Sequence, residues 1–399
     1  MRVLQVVQTL TVGGIETWLV NVMRQLDRSQ HQFDFFVEAS GPDPYDRQVC
    51  DMGGRIIRCV GGAAKPWRIC AMLTSVLKNE GPYDVVHCHG TRAMGLHMRV
   101  AAKAGVPVRI VHSHSTQRSS KAKTKRRLRS HVSGYIAGRW MMKYMTVGLA
   151  CSEEAGQSLF GSRWGVDRRM GVCLCGVDFS RMVDVRPRDA VRKELGIPCE
   201  ARVVMHVGSF REAKNHPKIL EMAKILLARR GDIFIVLVGS GRSFDSVKAE
   251  VSQFGLDGRV ILTGPRQDIP DLLCAADAFV FPSLYEGMPL SLVEAQAAGL
   301  PCVTSDVIPS VAYVMPELIR SLAPDAPGEQ WAEMAEKALA QNRLKPRACL
   351  VRLKQSEFSI EHSVRTLLEV YRTNHPPRRE IAQDHVQPHN LVPPSNQGT

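Results

Sequence analysis

Phe281-Pro-Ser-Leu-Tyr-Glu286-Gly-Met-Pro289-Leu-Ser-Leu-Val-Glu294-Ala-Gln-Ala-Ala-Gly299-Leu-Pro301 is the stretch that decides how this 399-residue chain is read. The apolar run 278–281 predicts a buried strand, and a short loop, 282–288, leads from it into a helix. Pro289 suits the first helical turn, Gly299 suits the C-terminal cap, and Pro301 forbids continuation. Glu286 falls in the loop and Glu294 in the helix, with seven residues between them. A strand–loop–helix crossing leaves free backbone N–H groups at the helix start, and these favour a phosphate. Carboxylates beside such a site repel phosphate, so they are better suited to accept hydrogen bonds from hydroxyls. A ligand with phosphates and many hydroxyls is a nucleotide sugar. The plainer alternative is an ordinary βα unit whose two acids are solvated, and the rest of the chain decides between the two.

The length suits two domains better than one. Apolar content of 44% and charged content of 23% are ordinary for a soluble globular protein. Eleven cysteines are scattered; Cys173 and Cys175, the closest pair, match no common zinc or redox spacing. They read as core thiols of a cytoplasmic protein. The first residues enter a strand without the apolar core of a signal peptide, and no run of about 18 apolar residues predicts a membrane span.

Charge is informative once divided. Residues 1–175 hold 25 Lys and Arg against 12 Asp and Glu, whereas residues 176–399 hold 27 of each. Seven of the first-half cations are Arg118, Lys121, Lys123, Lys125, Arg126, Arg127 and Arg129. Such a run is a solvated loop, or it meets an anionic membrane surface or a phosphorylated acceptor. Nucleic acid is not expected, because no recognition motif or aromatic platform accompanies the charge. The stretch 135–149, with Ile136, Trp140, Met141, Met142, Tyr144, Met145 and Val147 around Arg139 and Lys143, predicts a helix. That helix either lies at a membrane interface or packs in a core behind the loop.

In the first half, strands are expected at 3–7, 32–37, 55–60, 84–88 and 108–111, and helices between them. In the second half, strands are expected near 203–207, 234–238, 260–262, 278–281 and 302–304. Such alternation predicts parallel sheets covered on both faces, with ligands beyond the C-terminal strand ends. Gly13-Gly14, His87/His89 and His112/His114 all fall at such ends. The pattern breaks near 175–186. The expected division is therefore a first α/β domain at 1–175, a second at 176–357, an amphipathic helix at 358–375 and a disordered tail at 376–399.

The opening stretch resembles the signature of glycosyltransferase family 4, a large family of retaining enzymes of GT-B fold. There Glu-x₇-Glu is followed by a small-residue helix and Gly-Leu/Ile-Pro. The resemblance implies two Rossmann-like doubly wound domains facing each other across a cleft, with the last helix crossing back onto the first domain. It places Glu286 near the hydroxyls of the donor sugar and Glu294 on the ribose. Backbone N–H groups of Gly287, Met288, Pro289 and Leu290 are implied at the diphosphate.

Other motifs extend the resemblance over most of the chain. Val12-Gly-Gly14-Ile-Glu16 resembles the glycine turn after the family's first strand, where a backbone approaches the donor closely. Gly208-Ser-Phe-Arg211-Glu-Ala-Lys214-Asn resembles the family's Gly-x₅-Lys-Asn/Gly element. Arg211 and Lys214, three residues apart beyond a strand, can both face a diphosphate and neutralise the charge that develops as the sugar leaves. A helix start is a poor place for cations unless an anion sits there. Leu237-Val-Gly239-Ser-Gly241 resembles the Val-Gly-x-Gly turn. Thr263-Gly264 and Asp268-Ile269 stand where the family's backbone holds the base. The family's Asn-Gly-Val-Asp at the domain junction is Cys175-Gly-Val-Asp178 here.

In the family, one histidine beyond the strand of the 108–111 type supports the transferring sugar. His112 and His114 are both candidates, and the position further into the loop favours His114. His87 and His89 read as structural or acceptor-side. GT-B enzymes act without a metal, and no Asp-x-Asp stands in a strand-end loop, so no metal or other cofactor is expected. The resemblance implies a retaining transferase that moves a sugar from a UDP- or GDP-sugar to a glycan or lipid-linked acceptor. It is similar to bacterial capsule and exopolysaccharide enzymes, working at the inner face of the cytoplasmic membrane. Front-face attack, with the leaving phosphate helping to deprotonate the acceptor, needs no side-chain nucleophile. The alternatives are a GT-B sugar-nucleotide epimerase and a non-catalytic nucleotide-sugar-binding subunit of a polysaccharide assembly complex.

Overall fold

Two parallel sheets carry the protein, seen in a computed structural model that describes residues 1–59, 66–116 and 127–377, with the backbone alone for 127–133. The first sheet contains β1 (Arg2–Val7), β2 (Gln32–Val37), β3 (Ile56–Arg58), β4 (Val85–His89), β5 (Val108–Ser113), β6 (Val147–Ala150) and β7 (Met170–Val172). Its order is β3-β2-β1-β4-β5-β6-β7. The second contains β8 (Arg202–Val207), β9 (Ile233–Val238), β10 (Val260–Gly264), β11 (Ala278–Phe281), β12 (Cys302–Ser305) and β13 (Ile319–Leu322). Its order is β10-β9-β8-β11-β12-β13. Each order reverses once, between β1 and β4 and between β8 and β11. The two crevices that receive ligands in such sheets therefore open there.

The inner strands are buried apolar runs, since helices cover both faces, whereas the edge strands β3, β10 and β13 are only partly buried. Three were not expected from the sequence. β6 (Val-Gly-Leu-Ala) and β7 (Met-Gly-Val) are short and carry a glycine, and β13 (Ile-Arg-Ser-Leu) is a polar edge strand. The stretch 135–149 is not one helix. A helix ends at Tyr144, and Val147 opens β6 between β5 and β7. Ala137, Met141 and Met145 are buried, while Tyr135 and Ile136 are exposed. This is a core helix, pressed against the helix Gly95–Lys103 so closely that a Cβ on Gly95 would lie 1.8 Å from the Ala137 carbonyl. Arg118, Lys121, Lys123, Lys125 and Arg126 lie outside the described residues, as does Val60 at the end of the expected third strand.

The helix Ile360–Thr373 starts from the second domain and packs on the first. Val177 and Ser359 form a β-bridge at its root. Val364, Leu367, Val370 and Tyr371 then join the core around β1 and β4. Ser359 caps its start by accepting from the His362 N–H at 3.1 Å. Pro376 and Pro377, the first residues of the expected tail, lie against Gly171; residues 378–399 lie outside the described residues.

Candidate active site

The signature helix spans Leu290–Ala297 and closes in a Schellman pattern. Leu300 N–H donates to the Ala295 carbonyl and Gly299 N–H to that of Gln296. Pro289 is the residue just before the helix rather than its first turn. Of the four backbone N–H groups implied at the diphosphate, Pro289 has none to offer, because its nitrogen is tertiary. Leu290 N–H is spent on the Met288 carbonyl at 3.1 Å. Gly287 and Met288 N–H make no hydrogen bond within the described residues.

Beyond β8, a short 3₁₀ turn, Glu212–Lys214, brings Lys214 to the signature loop. Its ammonium lies 2.7 Å from Glu286 Oε1 and 4.4 Å from the centre of the Phe281 ring. The turn is pinned to that loop, because Leu284 N–H donates to the Ala213 carbonyl and Asn215 Nδ2 to that of Pro282. Arg211 is exposed at the start of the turn. Gly208, Gly239 and Gly264 stack at the ends of β8, β9 and β10: Gly208 N–H donates to the Val238 carbonyl and Gly239 N–H to that of Gly264. Gly239 has φ of 138°, and a Cβ there would meet the Gly208 carbonyl at 2.1 Å, so no other residue fits.

Glu294 faces Arg181, a residue of the domain junction that the sequence reading missed. Burial pushes its carboxyl up to about 7 against the opposing pull of Arg181. The Asp268 side chain is held by Arg266 (2.8 Å) and Arg186 (2.6 Å), and Arg266 foremost keeps its pKa low. The Asp268 carboxylate is thus tied to two guanidiniums.

The first domain meets this loop from the opposite side. Gly14 opens the helix Gly14–Gln25, and a Cβ on it would lie 4.0 Å from the Leu290 side chain across the cleft. Glu16 in the first turn of that helix was also missed. Its carboxylate folds back over Gly13, and Thr9 Oγ1 donates to it at 3.4 Å. Burial raises its pKa, and Thr9 and Arg211 of the other domain oppose the shift. After β5, Thr116 Oγ1 donates to the Glu286 carbonyl at 3.0 Å. A Cβ on Gly287 would fall 2.3 Å from the His114 carbonyl oxygen.

The structure separates the two histidine candidates. His112 is the fifth residue of β5, fully buried, with neither ring nitrogen hydrogen-bonded to a side chain within the described residues. His114 lies past the strand and is half-buried at the cleft. Its side chain, however, points inward. His114 Nε2 is 2.9 Å from His89 Nδ1, and His114 Nδ1 is 3.5 Å from Cys175 Sγ. Burial lowers the pKa of His114 to about 3 and holds His87, His89 and His112 well below the usual value. Two trios, His87/His89/His112 and His112/His114/Cys175, each bring potential ligand atoms within 4.8 Å of one another. His89 and His114 already spend both nitrogens on hydrogen bonds.

Comparison with known proteins agrees with this geometry. Residues 187–349 match the family described as glycosyl transferases group 1, and residues 12–181 match glycosyltransferase family 4. The chain is 33% identical over 372 residues to the protein described as glycosyltransferase EpsF of Bacillus subtilis, covering 93% of this chain and 96% of that one. It is 32% identical over 246 residues to an Escherichia coli UDP-Gal:α-D-GlcNAc-diphosphoundecaprenol α-1,3-galactosyltransferase, covering 59% of this chain and 60% of that one. In fold it superposes on Anabaena HepE, crystallised with UDP-glucose, with a TM-score of 0.72 at 17% identity, covering 94% of this chain and all of that one. The chain belongs to glycosyltransferase family 4 and is a hexosyltransferase-type glycosyltransferase of GT-B fold.

Proposed function

We propose that this glycosyltransferase moves a hexose from a UDP-sugar to a lipid-linked glycan in the assembly of a surface polysaccharide, with retention of anomeric configuration. The observation that carries the reading is the pairing of Lys214 with Glu286 beneath Gly287, at the point where the two sheet crevices face each other. A cation for the diphosphate and a carboxylate for the sugar hydroxyls stand side by side there. UDP, rather than GDP, is favoured by the donor named for the E. coli relative and by the ligand of HepE. The lipid-linked acceptor is favoured by the diphosphoundecaprenol substrate of the former.

In this reading Glu294 accepts from the ribose hydroxyls, and the backbone of Asp268 and Ile269 borders the base. Lys214, Arg211 and the N–H groups of Gly287 and Met288 stabilise the charge that develops on the leaving diphosphate, so a metal is not required. Glu286 accepts from the sugar hydroxyls. The donor is proposed to sit mainly on 176–357 and the acceptor on 1–175, with Gly14 close to the diphosphate.

Docking on an anionic membrane would bring the enzyme to such an acceptor. The basic run 118–129 leads into a helix with Tyr135 65% and Ile136 40% exposed and Arg139 beside them. Among the described residues no helix is long and apolar enough to cross a membrane. Incubation with labelled UDP- and GDP-sugars and a polyprenyl-diphosphate-sugar acceptor tests the reading. Transfer or slow hydrolysis of a UDP-sugar is expected. An epimerised donor would instead indicate an epimerase, and binding without turnover a carrier subunit.

A further inference from the structure

A continuous chain of side-chain hydrogen bonds runs beneath the cleft from His114 to the C-terminal helix. Gln5 Oε1 on β1 is 2.9 Å from His89 Nε2 on β4, and His89 Nδ1 is 2.9 Å from His114 Nε2. Cys175 Sγ at the domain junction closes one end, 3.5 Å from His114 Nδ1. At the other end Gln5 Nε2 donates to the Tyr371 hydroxyl at 3.0 Å, and that hydroxyl is 2.7 Å from His87 Nδ1. Tyr371 belongs to the helix that returns from the second domain, so five segments of the chain meet in one network: β1, β4, the loop after β5, the domain junction and the C-terminal helix.

The polarity of the chain follows from its chemistry. An amide oxygen only accepts, so the proton in the first link sits on His89 Nε2. A neutral imidazole carries one proton, and burial keeps His89 neutral. His89 Nδ1 therefore accepts, and His114 Nε2 donates to it. His114 Nδ1 is left with its lone pair and accepts from the Cys175 thiol. Tyr371, having accepted from Gln5, donates its own proton to His87 Nδ1.

We propose that Gln5, His89 and Tyr371 are positioning residues that fix the Nε2–H tautomer of His114 and hold its main chain against the signature loop, making the C-terminal helix part of the active site. His114 spends both ring nitrogens inward, so what it offers the cleft is its backbone, and its carbonyl oxygen is the atom packed against Gly287. A second brace runs parallel. Trp18 Nε1 donates to Ser363 Oγ at 2.9 Å, and Ser363 Oγ donates to the Leu174 carbonyl at 2.8 Å. The Trp18 ring meets His112 edge-on at 5.5 Å and leans on His114 at 5.8 Å. Stability alone does not ask for this core. Among the described residues His87 Nε2 is buried without a hydrogen-bond partner, and apolar side chains of similar shape would avoid that penalty.

Two measurements test the proposal. The first is the ring ¹⁵N spectrum of histidine-labelled full-length protein, which reports tautomers directly. The expected result is His89 and His114 both as Nε2–H in the wild type and mixed tautomers in Gln5→Met. The second is the rate of UDP release from UDP-galactose in Gln5→Met, Tyr371→Phe and the double variant. Gln5→Met should slow release about tenfold, the scale of one lost hydrogen bond, with UDP affinity within about twofold of wild type. Because the hydrogen-bonded route from Tyr371 to His114 runs through Gln5, His87 ending the other branch, the double variant should be no slower than Gln5→Met. An Nδ1–H tautomer at His114 in the wild type, an unchanged tautomer in Gln5→Met, or effects that multiply in the double variant would overturn the proposal. The kinetic half rests on the transferase reading. Should that reading fail, the wild-type tautomers still decide the chain.

Discussion

The ammonium of Lys214 and the carboxylate of Glu286 are 2.7 Å apart with side chains only 14% and 11% exposed, so in the free protein each is already neutralised by the other. A diphosphate reaching Lys214 competes with that carboxylate for the ammonium, and a sugar hydroxyl can take up the carboxylate as the pair loosens. The pair thus links donor binding to the placement of the sugar.

Glu286→Gln removes the competing charge while keeping the shape. UDP should bind the variant at least as tightly as the wild type, whereas turnover at saturating donor should fall by about tenfold or more. Calorimetry with UDP and steady-state kinetics check this. Near-normal turnover would remove Glu286 from the reaction. Lys214→Ala should also lower turnover, and in addition lose stability, because it leaves a nearly buried carboxylate unpaired at a cost of order 3 kcal/mol. Adding Glu286→Gln to it should restore the melting temperature but not the activity.

Glu294 should make the protein sensitive to pH. Its carboxyl is raised from 4.5 to about 7. Between those values the folded protein holds a proton that the unfolded chain has released, so this group's contribution to stability falls as pH rises through the window. Glu294→Gln should therefore melt higher than wild type at pH 8 and level with it near pH 4. Ribose hydroxyls donate best to the ionised form. UDP affinity should thus rise from pH 6 to 8 more steeply in the wild type than in Glu294→Gln. Glu294→Ala should lose about 1–3 kcal/mol of UDP binding at pH 8.

Gly287→Ala tests the contact between the domains. The added methyl meets the His114 carbonyl at 2.3 Å, so the two loops must separate by an ångström or so. A stability cost of about 1–3 kcal/mol is expected, with a larger proportional loss of turnover than of UDP affinity. Unchanged kinetics would mean that the two loops do not need to touch during transfer.

Much of this was legible in the sequence because its signals are local. Glycines and prolines punctuate the signature helix, and Gly208, Gly239 and Gly264 mark the ends of three neighbouring strands. The misses share a cause: they depend on where distant segments meet. Glu16 and Arg181 meet their charged partners Arg211 and Glu294 only once distant segments are brought together. The strand β13 is short and polar, and its neighbour β12, not its own composition, makes it a strand. His112 and His114 have the same local pattern; a single residue of strand length puts one in the core and the other at the cleft. The link from His114 to Tyr371 spans 257 positions and has no sequence signature.

Membrane docking should be electrostatic. Changing Lys125, Arg126, Arg127 and Arg129 to Ser should weaken co-sedimentation with vesicles containing anionic lipid, by up to about 1 kcal/mol per cation at low salt. Raised ionic strength should release the wild type. Equal binding of the two proteins, or indifference to salt and lipid charge, would exclude the role.

Transfer with retention of configuration is decided by the anomeric configuration of the product. An α-linked UDP-sugar incubated with the enzyme and a polyprenyl-diphosphate-sugar acceptor should yield an α-linked product by NMR. A β-linked product would show that the enzyme inverts.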